Sequence, residues 1–319
     1  MVKKGILGII LLFFLSAPVL AAGSKEKELL VPSDSGWVLG MDLVKIRESA
    51  TGSRIINDIL PVMFSGSTGK SQNLDSFLEK EWGIRQEQAA AITVFGAGDT
   101  PDPDKAGAII QLQNTTGSEV LDTVKARKAY TAVAYKKAEY FRFGDKRTPF
   151  FLFAYKNKLL VAPDTVIMEK LLDVLGNADD ISRNKKLEKL IRQYRKEMCY
   201  LTGFIPAEYI ETENPLLSEI IHFGLSVNFA ETIALKLMLE CTDSKKADNI
   251  ATLIKLSLSM AEKSIPRQNE NLKGVVRQLF RPVTVQSSGK QVAAEALYTE
   301  KDLEMLARIL PVLIGPQGM

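Results

Sequence analysis

Two stretches far apart in the chain, residues 53–60 (SRIINDIL) and 214–221 (NPLLSEII), follow one design. Each opens on a residue whose side-chain oxygen can accept a free backbone N–H at a helix start, Ser53 or Asn214. Apolar pairs follow at identical spacing, Ile55, Ile56, Ile59 and Leu60 against Leu216, Leu217, Ile220 and Ile221, which predicts one buried helical face in each. An acid, Asp58 or Glu219, stands at the same step, and Pro215 holds a first-turn position where a missing N–H is tolerated.

The likeness extends along the chain. Residues 155–175 (YKNKLLVAPDTVIMEKLLDVL) and 287–310 (SSGKQVAAEALYTEKDLEMLARIL) both read as turn, strand, cap and helix. Asn157 and Gly289 suit left-handed turn positions, and Thr165 and Thr299 are candidate caps. Between these blocks AAITVF and GLSVNF read as strands, each followed by a second strand and a longer helix, and WVLGMDL or CYLTGF opens each half. The expected fold is α+β: two tandem copies of a strand-helix-strand-strand-helix-strand-strand-helix unit, with mainly antiparallel sheets and helices packed on one face. The expected divisions are a signal peptide at 1–22, a first repeat at 23–176, a basic linker helix at 177–196 and a second repeat at 197–319.

The signal peptide follows from Lys3 and Lys4, the apolar run GILGIILLFFL and the small residues of SAPVLAA. Ser24 stands where a lipidated cysteine would have to be, and no later apolar run approaches the ~20 residues of a membrane helix. The expectation is an exported chain with no transmembrane segment after cleavage, periplasmic if the host has an outer membrane and otherwise secreted. Losing Lys3 and Lys4 takes the formal charge from +3 to +1, which argues against a nucleic-acid partner. Hydrophobic residues at 46% suffice for a large core. The two cysteines, Cys199 and Cys241, are a candidate disulfide in an oxidising compartment; the alternative is two buried thiols.

Few motifs carry chemistry. Residues 63–72 (MFSGSTGKSQ) resemble the end of a phosphate-binding loop, but Phe64 stands where the tight-turn glycine is needed and the preceding pattern is helical. Asp99, Asp102 and Asp104 crowd one loop and offer hard oxygen ligands for calcium, although the spacing is not that of an EF-hand. The basic and aromatic run from Lys125 to Tyr155 reads first as packed strands. Its alternative is an interaction surface formed by Tyr140, Phe141, Arg142, Phe143 and Arg147. In residues 182–197 Leu187, Leu190, Ile191 and Tyr194 make one helical stripe among many cations. The single histidine, His222, ends a predicted helix and has no nucleophile motif to serve.

No cofactor is expected, and no enzyme. The leading expectation is an exported, non-catalytic binding protein that engages an envelope protein. The runner-up is a carrier holding an apolar small molecule in a cleft between the repeats, and a carboxylate-dependent hydrolase trails both.

Overall fold

The computed structural model describes residues 30–54, 78–80, 82–97, 106–144, 149–176, 180–204, 217–261, 270–299, 301–302 and 305. Among these residues twelve strands form one sheet, and every neighbouring pair is antiparallel. They are β1 (Ser35–Asp42), β2 (Ala89–Ala97), β3 (Ala106–Leu112), β4 (Tyr130–Tyr135), β5 (Ala138–Phe143), β6 (Phe150–Tyr155) and β7 (Lys158–Ala162). The chain continues with β8 (Cys199–Phe204), β9 (Ile220–Phe229), β10 (Ile233–Cys241), β11 (Thr284–Ser288) and β12 (Gln291–Tyr298). The helices are α1 (Leu43–Glu48), α2 (Ala50–Arg54), α3 (Gly117–Arg127), α4 (Thr165–Leu175), α5 (Lys185–Tyr194), α6 (Ser244–Ala261) and α7 (Glu270–Phe280). The mixed helix and antiparallel-sheet architecture read from the sequence is therefore present.

The order across the sheet is β11-β12-β10-β9-β8-β1-β2-β3-β7-β6-β5-β4. Its seam is the pairing of β1 with β8, where Leu39 faces Leu201 and Gly40 faces Tyr200. Because successive strand residues point to opposite faces, each strand feeds two cores. Met41, Ile92, Ile110, Leu159 and Phe141 pack with Leu43 and Ile46 of α1 and Val120, Leu121 and Val124 of α3. The alternate residues Val38, Phe95, Ile109, Leu160 and Tyr140 pack instead with Ile167, Met168, Leu171 and Leu172 of α4 and with the Leu187, Leu190, Ile191 and Tyr194 stripe of α5. Helices thus cover both faces of the sheet, which corrects the expectation of one face. A strand that is apolar on both sides can be buried on both, and here the pattern was legible in runs such as FFLFAY.

Several local expectations shift. Ser53 lies inside α2 rather than capping a helix; the hydroxyl of Ser49 accepts from the N–H of Gly52 instead. Ile220 and Ile221 belong to β9, which Leu217–Glu219 precedes as a 3-10 turn, so the second of the matched helical stretches ends in a strand. The α4 cap is Asp164, whose carboxylate accepts from the N–H of Ile167, one residue before the expected Thr165. Thr299 does cap, exchanging hydrogen bonds with Asp302. Gly289 takes the left-handed turn position (φ 57), whereas in the β6–β7 turn it is Lys156 (φ 53), and Asn157 uses its amide to donate to the carbonyl of Leu112.

No disulfide joins Cys199 to Cys241. Cys199 faces Val227 and Cys241 faces Ile220, at opposite ends of β9. Seven residues of strand separate those levels by roughly 23 Å at ~3.3 Å per residue, against the ~7 Å limit for a bridge. Both are buried, and burial pushes the Cys241 thiol up from its usual range.

Candidate functional site

The sequence-derived candidates separate once they are placed. Tyr140, Phe141 and Phe143 are buried side chains of β5, so they are core rather than contact surface. Their basic neighbours serve the core: Lys125 lies with its Nζ 3.3 Å from the ring centroid of Phe141, and Lys128 lies 5.4 Å from that of Phe150. Phe143 stacks on Phe150 with centroids 5.5 Å apart. Arg142 is half-buried on the other face of β5. Arg147, the Asp99, Asp102 and Asp104 loop and the glycine-rich stretch at 63–72 lie outside the described residues. Among the described residues no group of three or more His, Cys, Asp or Glu side chains could hold a metal ion.

His222 sits on β9, not at a helix end, facing Phe204 on one neighbouring strand and Glu240 on the other. Its Nε2 is 3.1 Å from Oε2 of Glu240. Burial lowers its pKa; Glu240 opposes that shift, and Lys189 and Lys186 of α5 add to it. Depression means that the unfolded chain binds a proton first as pH falls, so this residue's contribution to stability is present above about pH 6.5 and is lost below it. With one histidine in the chain, its imidazole proton signal should titrate below the free-histidine value, and a midpoint above 6.5 would contradict this placement.

The exposed apolar surface is at the other end of the second half. Asp243 accepts from the N–H of Lys246 and starts α6, while Glu219 holds Lys246 and Thr242 (2.9 Å) from the strand side. The inner line of α6, Ala247, Ile250 and Ala251 with Ile254 and Leu258, packs on Leu239, Cys241, Val285 and Val292. At three- and four-residue steps on the side turned away from the sheet stand Leu253, Leu256 and Met260, respectively 37%, 51% and 59% exposed. A helix that is apolar on two sides normally buries both, so the exposed outer stripe is a candidate contact surface. Sequence reading missed it although NIATLIKLSLSMA carries more apolar positions than one stripe requires.

Beside this stripe, α7 and α6 enclose an open groove of about 540 Å³ over β11. Leu258, Val276, Phe280, Val283 and Val285 form its apolar lining, and Lys255, Arg277 and Arg281 bring positive charge. A second groove of about 530 Å³ shares Arg277 and Arg281 and reaches Leu297, which is 63% exposed. Tyr298 anchors α7 by donating to the carbonyl of Leu279 (2.7 Å); burial, then Asp302, pushes its pKa up to about 12. These grooves lie within the second half. Between the halves the sheet is continuous through β1 and β8.

The fold and these surfaces define an α+β protein built on one broad antiparallel sheet. No protein-family model matches the chain, and no curated protein is similar to it in sequence. Solved structures similar to it include crystal form I of TP0453, with a TM-score of 0.45 and 12% identity over 91% of this chain and 98% of that one. Crystal form IV of TP0453 gives 0.49 and 12% over 90% and 97%. Among the described residues no helix is long and apolar enough to cross a membrane.

Proposed function

We propose that this is an exported, non-catalytic binding protein that engages a macromolecular partner of the envelope or extracellular space through the outer face of α6. The observation that carries the reading is the stripe of Leu253, Leu256 and Met260, exposed on a helix whose opposite side is already buried in the core. Export rests on the lysine, apolar and small-residue order of residues 1–22. A two-copy origin of the chain is part of the same reading. Outward from the seam the strands run β1-β2-β3-β7-β6 on one side and β8-β9-β10-β12-β11 on the other, which supports one unit used twice. In that comparison the β4–β5 hairpin is an addition to the first unit.

A second reading, carriage of an apolar molecule, is supported by the groove between α6 and α7, whose apolar lining and cations suit a chain with an anionic head. One experiment separates the two: native mass spectrometry of the mature protein from its own export compartment, beside two variants. Leu253→Ser with Leu256→Ser and Met260→Ser should lose a bound protein while keeping the fold, because all three side chains are exposed. A small apolar adduct that survives in that variant, and is lost from Lys255→Glu with Arg281→Glu, would put the carrier reading first. A bare mass in every sample would contradict both.

A further inference from the structure

The far end of the sheet carries a second surface. Among the described residues β4 is the outermost strand and pairs with β5 alone, in unbroken register from Tyr130 opposite Phe143 to Tyr135 opposite Ala138. Tyr130, Thr131, Ala132 and Ala134 are exposed, and Val133 and Tyr135 are half-buried. An edge strand leaves a row of backbone donors and acceptors without a strand partner, and proteins normally blunt such a row with charge, proline, a bulge or a covering element. The sequence YTAVAY has no charge and no proline, and its register shows no bulge. The opposite edge, β11, is treated differently: Pro282 precedes it, and Val285 is covered by α6.

Charge around β4 selects the partner. Lys125, Arg127 and Lys128 stand at its start, and Lys136 and Lys137 form the turn at its end. The acids near this region among the described residues include Glu139, on β5 beside Ala134, Asp173 of α4, already held by Lys136 and by the hydroxyl of Tyr135 (3.1 Å), and Glu169 of α4, which accepts from the hydroxyl of Tyr140 (3.4 Å). Antiparallel pairing of two β4 strands would set the Lys125–Lys128 end of each copy against Lys136 and Lys137 of the other, an arrangement of like charges that opposes pairing. We propose that β4 is a strand-addition site for an extended segment of a partner protein, with an uncharged core matching the six residues of β4 and acidic residues at both flanks. The inference rests on the reading of the protein as an interaction module but uses the end of the sheet remote from α6.

The probe is a fluorescent ten-residue peptide with an alternating Thr-Val core and two aspartates at each end, compared with the same core flanked by lysines. The acidic peptide should bind at least tenfold more tightly than the basic one and weaken with added salt. On binding, backbone amides of residues 130–135 should gain protection from hydrogen exchange. Thr131→Glu with Ala134→Glu, both exposed positions whose folding is checked by thermal melting, should reduce binding at least tenfold. Equal affinity for the two peptides, protection elsewhere, or unchanged binding by the variant would overturn the proposal. So would a concentration-dependent dimer that the same variant abolishes, since the occupant would then be a second copy. Failure here leaves the native-mass result on the α6 variant standing, so the two ideas fall separately.

Discussion

Gly40→Val is expected to destabilise the protein by about 3 kcal/mol, at the upper end of the usual range for overpacking a filled site. Gly40 lies on β1 at the seam, directly opposite Tyr200 of β8. The Tyr200 ring lies across the glycine, so that a Cβ there would come within 2.3 Å of its Cε1 and 2.4 Å of its Cζ. That ring has nowhere to retreat, because it is 5% exposed and belongs to the core formed with α4 and α5. Urea unfolding reads the loss as a lower midpoint at unchanged slope. Adding Tyr200→Leu should recover part of it, since the clash disappears with the ring; strict additivity of the two substitutions would show that the ring is not the obstacle. A control of opposite sign is available in α7. Nothing lies within 4 Å of a Cβ built on Gly274, so Gly274→Ala should stabilise by up to about 1 kcal/mol through helix propensity alone.

Alkali should unfold this protein steeply, and tyrosines are the cause. Burial pushes the pKa of Tyr194 up to about 12, with Glu197 adding to the shift, and that of Tyr298 to about 12. The Tyr200 phenol is pushed higher still by burial, with Arg195 opposing. In each case the folded-state value lies above that of the unfolded chain, near 10. Stability from these groups is therefore complete below pH 10 and is lost as pH rises, because the unfolded chain releases its phenolic protons first. Burial raises the Tyr140 phenol in the same direction, and each such proton steepens the loss by about 1.4 kcal/mol per pH unit above 10. Urea midpoints at pH 9, 10 and 11 measure it. A midpoint unchanged between pH 10 and 11 would contradict the burial of these rings. Replacing Tyr194 by phenylalanine should flatten the dependence, since one of these protons is removed from the balance.

What could be read from the sequence follows from what local pattern controls. Hairpins such as the one linking β9 and β10 were legible because two apolar runs flank a short polar turn, Ala230–Glu231–Thr232. Ile220 and Ile221 were read as helical because paired apolar residues in a short run satisfy either period, and only pairing with Cys241 at the bulged end of β10 places Ile220 in a strand. The aromatic run of β5 and β6 was legible as core, but the apposition of Lys125 with Phe141 was not, since it depends on where α3 lies over the sheet. Helix placement on both faces also eluded the sequence reading: apolar residues on both sides of β6 permit it, yet nothing local says which helix crosses which face. The distance between Cys199 and Cys241 is likewise a property of β9, the strand that separates them. The α6 surface was missed for a different reason. Its inner line accounts for a helix, and the extra leucines were not counted once one buried face had been found.

The most direct test of binding through α6 is site-specific photocrosslinking in the native export compartment. A photoreactive phenylalanine derivative replaces Leu256 in one strain and Lys236, exposed on the side of the sheet away from α6, in another. A discrete covalent protein adduct at position 256 and none at position 236 is the predicted result. Equal adducts at both positions, or none at 256 when the folded protein is present at normal level, would contradict the assignment of α6 as the contact surface.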